Sequence, residues 1–244
     1  MTAMKLSSWI TARPIAHRGL FDPVRGIPEN SLAAVRAAIE SSYPAELDLR
    51  AASDGVAVFH DRKLKRMTGL EGGIADVRLA ELKRIALAAS NETIPSLGDV
   101  LELVGGRIPL MLEIKNDGRP GTFERMILDM LQNYRGEVAV VSFNPFSLRW
   151  FARHAPRILR GQTAARFTGS GLPIWRRFLQ RNFLLNFLSR PHFLLCELEA
   201  LPQPAAAWLR RRGKIVIAYT VRSAADAVTA REHADNYIFE TIRP

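Results

Sequence analysis

Short β-rich apolar runs alternate with longer helical patterns along almost the whole chain, and this alternation restricts the fold more than any other feature. The runs fall at residues 14–17, 46–49, 109–114, 138–142, 157–161, 193–197, 214–219 and 236–239. Helical spacing of apolar residues fills the intervals at 31–41, 97–103, 122–133, 145–154, 174–188, 204–212 and 223–232. Two parallel strands need a crossover between them, which a helix supplies, so this order predicts βαβ units. Eight such strands predict closure into a (β/α)8 barrel, the TIM barrel, and 244 residues suit one domain spanning 1–244.

One connection breaks the pattern. About sixty residues separate the second run from the third, well beyond an ordinary crossover. Within them an Asp54-Gly55 turn precedes an apolar run at 56–59, then come Gly69, Gly72 and Gly73 and a helical stretch at 79–85. The expectation is an insertion at about 51–95, after the second strand, packed over one face of the barrel.

Polar residues concentrate where strands are predicted to end. His17-Arg18-Gly19 follows the first, Glu46 and Asp48 lie on the second, His60-Asp61 closes the short strand of the insertion, and Glu113 and Lys115 end the next. Residues two apart on a strand share a face, and barrel active sites are built at the C-terminal strand ends. Glu46, Asp48 and Glu113 are therefore expected to converge. Three carboxylates in an apolar barrel mouth repel one another unless they are protonated or share a cation. Oxygen donors suit a hard ion, so Ca²⁺ or Mg²⁺ is expected rather than zinc. The ordinary alternative is that Glu46 and Asp48 pair with arginines such as Arg50. His17 and His60 add proton chemistry, since neutral imidazole takes a proton near pH 7 and imidazolium gives one. His154, His192 and His233 lack comparable neighbours and read as structural or surface residues.

Taken in order, Ile15-Ala16-His17-Arg18-Gly19, Pro28-Glu29-Asn30-Ser31, Glu46-x-Asp48 and Val58-Phe59-His60-Asp61 resemble the glycerophosphodiester phosphodiesterase family. The resemblance continues through Thr68-Gly69, Ala80-Glu81-Leu82-Lys83, Ile94-Pro95-Ser96-Leu97 and Leu112-Glu113-Ile114-Lys115. It implies a TIM barrel with a small insertion after strand two and metal-dependent cleavage of glycerophosphodiesters to an alcohol and glycerol 3-phosphate, within glycerophospholipid metabolism. It further implies that Glu46, Asp48 and Glu113 hold the divalent ion, that His17 and His60 are the catalytic pair, and that Arg18 and Lys115 contact phosphate. Glu29 would support the site from behind, or serve only as a carboxylate at a helix start. Asn30 or Ser31 would cap the following helix. The second half is less similar: Tyr219 stands where relatives often have tryptophan, and Arg222 where asparagine is frequent.

Net charge is +10, from 34 Lys and Arg against 24 Asp and Glu, which favours an anionic partner. Residues 174–182 are amphipathic, with Ile174, Trp175, Phe178 and Leu179 on one side and Arg176, Arg177 and Arg181 on the other. The segment 174–188 reads as an ordinary barrel helix or as a helix for peripheral contact with an anionic membrane, the preceding loop at 163–173 lying at the active-site rim. The second case would suit lysophospholipase D-like or sphingomyelinase D-like cleavage of a membrane lipid. A third reading, a non-catalytic protein that binds anionic ligands, is opposed by the full set His17, His60, Glu46, Asp48 and Glu113. No nucleic-acid motif is present, so a small molecule rather than nucleic acid is the expected partner. The single cysteine, Cys196, excludes an internal disulfide. With no signal-peptide pattern in residues 1–13, a soluble protein is expected, free in the cytoplasm or peripheral to the inner face of the membrane.

Overall fold

The computed structural model describes residues 9–88, 90–116, 118–166 and 173–244. The strands are β1 (Ile15–Ala16), β2 (Ala45–Ala51), β3 (Val56–Val58), β4 (Leu110–Ile114), β5 (Val138–Ser142), β6 (Leu159–Ala164), β7 (Phe193–Glu197), β8 (Ile215–Val221) and β9 (Asn236–Phe239). The helices before the midpoint are α1 (Trp9–Ala12), α2 (Leu32–Glu40), α3 (Lys65–Thr68), α4 (Leu79–Leu82), α5 (Leu97–Val104) and α6 (Thr122–Leu131). Those after it are α7 (Pro145–His154), α8 (Ile174–Arg181), α9 (Asn186–Ser189), α10 (Pro204–Arg211) and α11 (Ala224–His233). The strand order is β1-β9-β8-β7-β6-β5-β4-β2-β3, with β1 also pairing β2. This is the (β/α)8 barrel, with β3 as one extra strand beside β2.

By its contacts the chain divides into two compact units, residues 16–138 and residues 9–15 with 139–244. In the first unit β2 is the organising strand. It is buried along Ala45–Leu49 and pairs in parallel with β4 from Ala45↔Leu110 to Leu49↔Ile114. β3 adds antiparallel to β2 through the turn after Ala51. The segment that follows β2 has an apolar cluster of its own: Ala52, Ala57, Phe59, Leu64, Ile74, Leu82, Leu87 and Ile94. Such a cluster explains why so long a connection folds instead of trailing as a loop. Ser31 caps α2 by accepting the Ala34 N–H, and Ser96 with Asp99 forms a capping box on α5. The helix expected over 79–85 ends at Leu82, where Lys83 closes the turn.

In the second unit β5 to β9 run parallel, each paired with the next. The strand expected at 157–161 is Leu159–Ala164 instead. Gln162 and Thr163 extend it although they are polar, because backbone pairing with Leu194 and Leu195 defines the strand while periodicity sees only the apolar part. The helix expected over 174–188 is two helices. Phe183 interrupts it, buried and at φ +56, while Asn182 turns its side-chain amide onto the Phe178 carbonyl. Burying that ring takes the chain out of the helical track. Residues 167–172 of the loop expected at the rim lie outside the described residues, as does most of the stretch read for a signal peptide. Cys196 is buried and its thiol pushed up to about 12 by that burial, so it offers no thiolate near neutral pH. Among the described residues no helix is long and apolar enough to cross a membrane.

Candidate active site

The first unit brings together every candidate residue named from the sequence. The parallel register of β2 and β4 sets Asp48 directly beside Glu113, and Glu46 shares the Asp48 face because it lies two residues earlier. One ligand oxygen from each of the three carboxylates lies within 4.8 Å of the others. Glu46 and Asp48 are buried, and the buried Glu46 Oε1 has no hydrogen-bond partner among the described residues. Crowded oxygens with an unspent lone pair fit a divalent cation, and Glu46, Asp48 and Glu113 would hold it.

The loop after β1 is fastened onto this cluster. The Arg18 N–H donates to Glu46 Oε2 at 3.1 Å and the Gly19 N–H to the Glu46 carbonyl at 3.0 Å. Both residues have positive φ, +53 at Arg18 and +77 at Gly19. A Cβ on Gly19 would lie 2.9 Å from that of Ala34, so the loop needs glycine to lie this close to α2. His17 Nε2 stands 3.9 Å from Glu46 Oε2. Arg18 spans two carboxylates, with Nε 3.3 Å from Asp48 Oδ2 and a terminal nitrogen donating to Glu29 Oε1 at 2.8 Å. Lys115 Nζ lies 3.0 Å from Asp48 Oδ1 and 2.9 Å from Glu113 Oε1.

These contacts set the ionisation pattern. Burial is the largest influence on Glu46, and with the charges of Asp48 and Glu113 it pushes the carboxyl well above its usual range. Burial also opposes the Asp48 carboxylate, yet Lys115, His60, Arg18 and His17 together hold it well below the usual range. Lys115 is raised despite burial, because Asp48 and Glu113 face its ammonium. Burial lowers His60, assisted by Lys115 and Arg18 and opposed by Asp48. Two neighbouring carboxylates pushed in opposite directions mark a place where charge is managed rather than merely solvated.

Three residues at the site were not assigned a part in it from the sequence. Asn30, in a positive-φ conformation at +57, clamps Asp48 by donating from Nδ2 to Oδ2 at 2.8 Å and accepting the Asp48 N–H at 3.1 Å. It therefore faces the site, while Ser31 makes the cap. Asp61 Oδ1 lies 2.5 Å from His60 Nδ1, and Arg66 bridges Asp61 Oδ2 at 2.5 Å to Glu29 Oε1 at 2.6 Å. Burial opposes the Asp61 charge, but hydrogen bonds from Arg66 and His60 keep the pKa low. An ionised carboxylate only accepts, so His60 Nδ1 carries the hydrogen, and in the neutral ring Nε2 is left with the lone pair. Glu29 is likewise lowered against its burial, by Arg66 and then Arg18. Arg50 donates to the carbonyls of His60 and Lys115, at 2.9 and 3.3 Å, tying two strand ends. Beside His60 opens a depression of about 610 Å³ lined by Arg50, Asp61, Arg62, Lys63, Lys65 and Arg66, a basic approach suited to an anion.

A glycerophosphodiester phosphodiesterase of Caldanaerobacter subterraneus subsp. tengcongensis is 35% identical over 159 residues, covering 60% of this chain and 64% of the relative. One from Bacillus altitudinis is 36% identical over 157 residues, covering 59% and 62%. The chain thus spans a little under two thirds of the length of these two relatives. A phosphodiesterase of Oleispira antarctica, solved in complex with the product sn-glycerol-3-phosphate, superposes with a TM-score of 0.79 at 24% identity, over 95% of this chain and 93% of that one. A glycerophosphodiester phosphodiesterase of Thermotoga maritima gives 0.71 at 22% identity, over 93% and 94%. Both carry the barrel fold found here. The pattern of the glycerophosphoryl diester phosphodiesterase family matches residues 17–236, from the first histidine of the site into the last strand, and the chain belongs to that family.

Proposed function

We propose that this protein hydrolyses glycerophosphodiesters to an alcohol and glycerol 3-phosphate with one divalent cation, Ca²⁺ or Mg²⁺, and works in glycerophospholipid turnover in the cytoplasm. The observation that carries the reading is the convergence of Glu46, Asp48 and Glu113 next to two histidines. When bound, the cation offsets the charge of the carboxylates and of the phosphoryl oxygens. Arg18 and Lys115 bind and orient the phosphate. His60, its Nδ1 hydrogen turned to Asp61, accepts the proton of the attacking water at Nε2. As the new P–O bond forms, the bond to the alcohol breaks and His17 gives its proton to the departing oxygen. Asp61 and Arg66 act as positioning residues, and Glu29 holds Arg18 and Arg66 from behind. A second reading keeps this chemistry but takes a lysophospholipid or sphingolipid, favoured by the exposed apolar face of α8.

The test is release of glycerol 3-phosphate from glycerophosphocholine and glycerophosphoethanolamine with EDTA, calcium or magnesium. Release that needs metal and disappears in His17→Ala supports the proposal. No release with either metal removes the soluble-substrate reading, and turnover of lysophosphatidylcholine micelles by the same preparation then establishes the second.

A further inference from the structure

α8 is a helix with no buried residue. At about 100° per residue, Ile174, Phe178, Trp175 and Leu179 fall within an arc of roughly 140°, and Arg176, Gln180, Arg177 and Arg181 occupy the rest. The apolar arc is not spent on a core: Ile174 is 81% exposed, Trp175 59% and Phe178 60%. The patch continues beyond the helix through Leu184, Phe187 and Trp208, all exposed. Between α8 and α10 an open apolar cleft of about 420 Å³ is lined by Phe178, Phe183, Leu184, Ala205, Trp208 and Leu209. Most of the exposed large apolar side chains of the described residues lie in this one place, which a soluble surface does not need.

Charge selects the occupant. From residue 138 to residue 196 there is no Asp or Glu, and nine arginines. None occurs from 201 to 225 either. Arginines edge the apolar surface: Arg176 lies 5.1 Å from the Trp175 ring and Arg212 3.7 Å from the Trp208 ring. A second copy of this chain would set one arginine-rich stretch against another, since these stretches hold no Asp or Glu. An anionic lipid interface answers both features, with acyl chains for the aromatic and aliphatic side chains and phosphates for the arginines.

We propose that the face formed by α8, α9 and α10 docks this protein on an anionic bilayer, with Ile174, Trp175, Phe178 and Phe187 inserted at the acyl boundary and Arg176, Arg177 and Arg181 at the phosphates. The proposal concerns binding and does not depend on the reaction assigned to the carboxylate site. Docking delivers the protein to a surface where phosphodiester headgroups are concentrated.

The experiment is co-sedimentation of the full chain with vesicles of phosphatidylcholine alone or with about 30% phosphatidylglycerol, at about 0.1 and 0.5 M salt. Tryptophan quenching by brominated acyl chains reports insertion. The wild type is compared with Trp175→Ala/Phe178→Ala, with Arg176→Glu/Arg177→Glu, and with Val228→Ser, which removes an exposed apolar side chain from α11. Because Trp175, Arg176 and Phe178 are exposed and Arg177 is only partly covered, the α8 variants keep the wild-type melting temperature and circular dichroism. The expected result is binding to the anionic vesicles only, weakened by salt, with quenched tryptophan. Each α8 variant binds on the order of tenfold more weakly or worse, and Val228→Ser binds as wild type. Absence of binding to anionic vesicles overturns the proposal, as does equal binding to neutral vesicles or binding that the α8 variants leave intact. A concentration-dependent dimer without lipid, dissolved by Trp175→Ala/Phe178→Ala and unable to bind vesicles, assigns the face to a second copy instead.

Discussion

Residues 16–138 carry 16 Lys and Arg against 18 Asp and Glu, whereas residues 1–15 and 139–244 carry 18 against 6. The net charge of +10 therefore belongs to the second unit, and the first is slightly acidic. The two also use charge differently. In the first, the charges around the carboxylate cluster are covered and most are answered: buried Asp48 meets Lys115, Arg18 and Asn30, and half-buried Glu29 meets Arg18 and Arg66. In the second, the buried Arg160 donates to the carbonyls of Pro156, Ile158 and Arg190, and burial with the charge of Arg190 lowers it to about 10. Arg176 and Arg212 lie against the exposed Trp175 and Trp208 rings, while Arg210 and Arg222 pair with Asp235 and Glu240. Buried, paired charge is costly to assemble and is kept where chemistry needs it. A surplus of surface charge acts at a distance, on what approaches the protein.

The sharpest way to break this division is to remove one group from the first unit. His60→Ala should lower kcat for a glycerophosphodiester by about a hundred- to ten-thousand-fold while KM changes little, in steady-state assays with metal present. A loss under tenfold would mean that the proton work is done elsewhere.

Asn30→Ala should act next most strongly, and through the cation. It deletes the clamp on Asp48, so about 10- to 100-fold more metal should be needed for half-maximal activity, with the rate at saturating metal largely recovered. An unchanged requirement would reduce Asn30 to a loop residue. This contact also shows where sequence reading stops. The Pro28-Glu29-Asn30-Ser31 segment was visible, and its cap could be assigned to either of two residues. Only the +57 φ of Asn30 turns its amide to a strand eighteen residues later, and no local pattern encodes that. Glu46, Asp48 and Glu113 were legible because period two along β2 and parallel pairing with β4 are rules of strands. Arg66 was not, since its partners Glu29 and Asp61 meet it only in the tertiary fold. The break at Phe183 was legible only in part: the amphipathic pattern stops at 182, yet 174–188 as a whole reads as one helix, and burial of one ring ends it.

Glu46→Gln sharpens the comparison in another way. Burial and the charges of Asp48 and Glu113 raise the Glu46 carboxyl, so its ionised form opposes folding above the ordinary carboxyl range when no cation is present. Removing that charge should raise the melting temperature in EDTA at pH 7–8, by about 2–4 °C for each kcal/mol relieved, while activity with metal is lost. Added calcium or magnesium should then stabilise the wild type more than the variant. A variant less stable than wild type in EDTA would make Glu46 a structural carboxylate.

The smallest effect belongs to the second unit and to acid. His192 Nδ1 accepts the Arg160 N–H at 3.0 Å, so it must be unprotonated to keep that bond. Burial, then the charges of Arg160 and Lys214, lowers it to about 4. The folded-state value lies below the unfolded one, so between about pH 6.5 and 4 the unfolded chain binds a proton that the native chain refuses, and stability falls with pH through that window. Because the ring is only half-buried, solvent screening reduces the effect to about 1–2 kcal/mol. His60 is lowered too and acts in the same sense, whereas Glu46, raised, acts in the opposite one. The useful quantity is therefore a difference. In His192→Asn the side-chain oxygen can still accept the Arg160 N–H but does not titrate. Urea denaturation at pH 7 and pH 4.5 should show the variant gaining on wild type by that amount at the lower pH. If the two curves stay parallel, acid sensitivity lies with His60 and the carboxylates, and the second unit contributes charge to the surface alone.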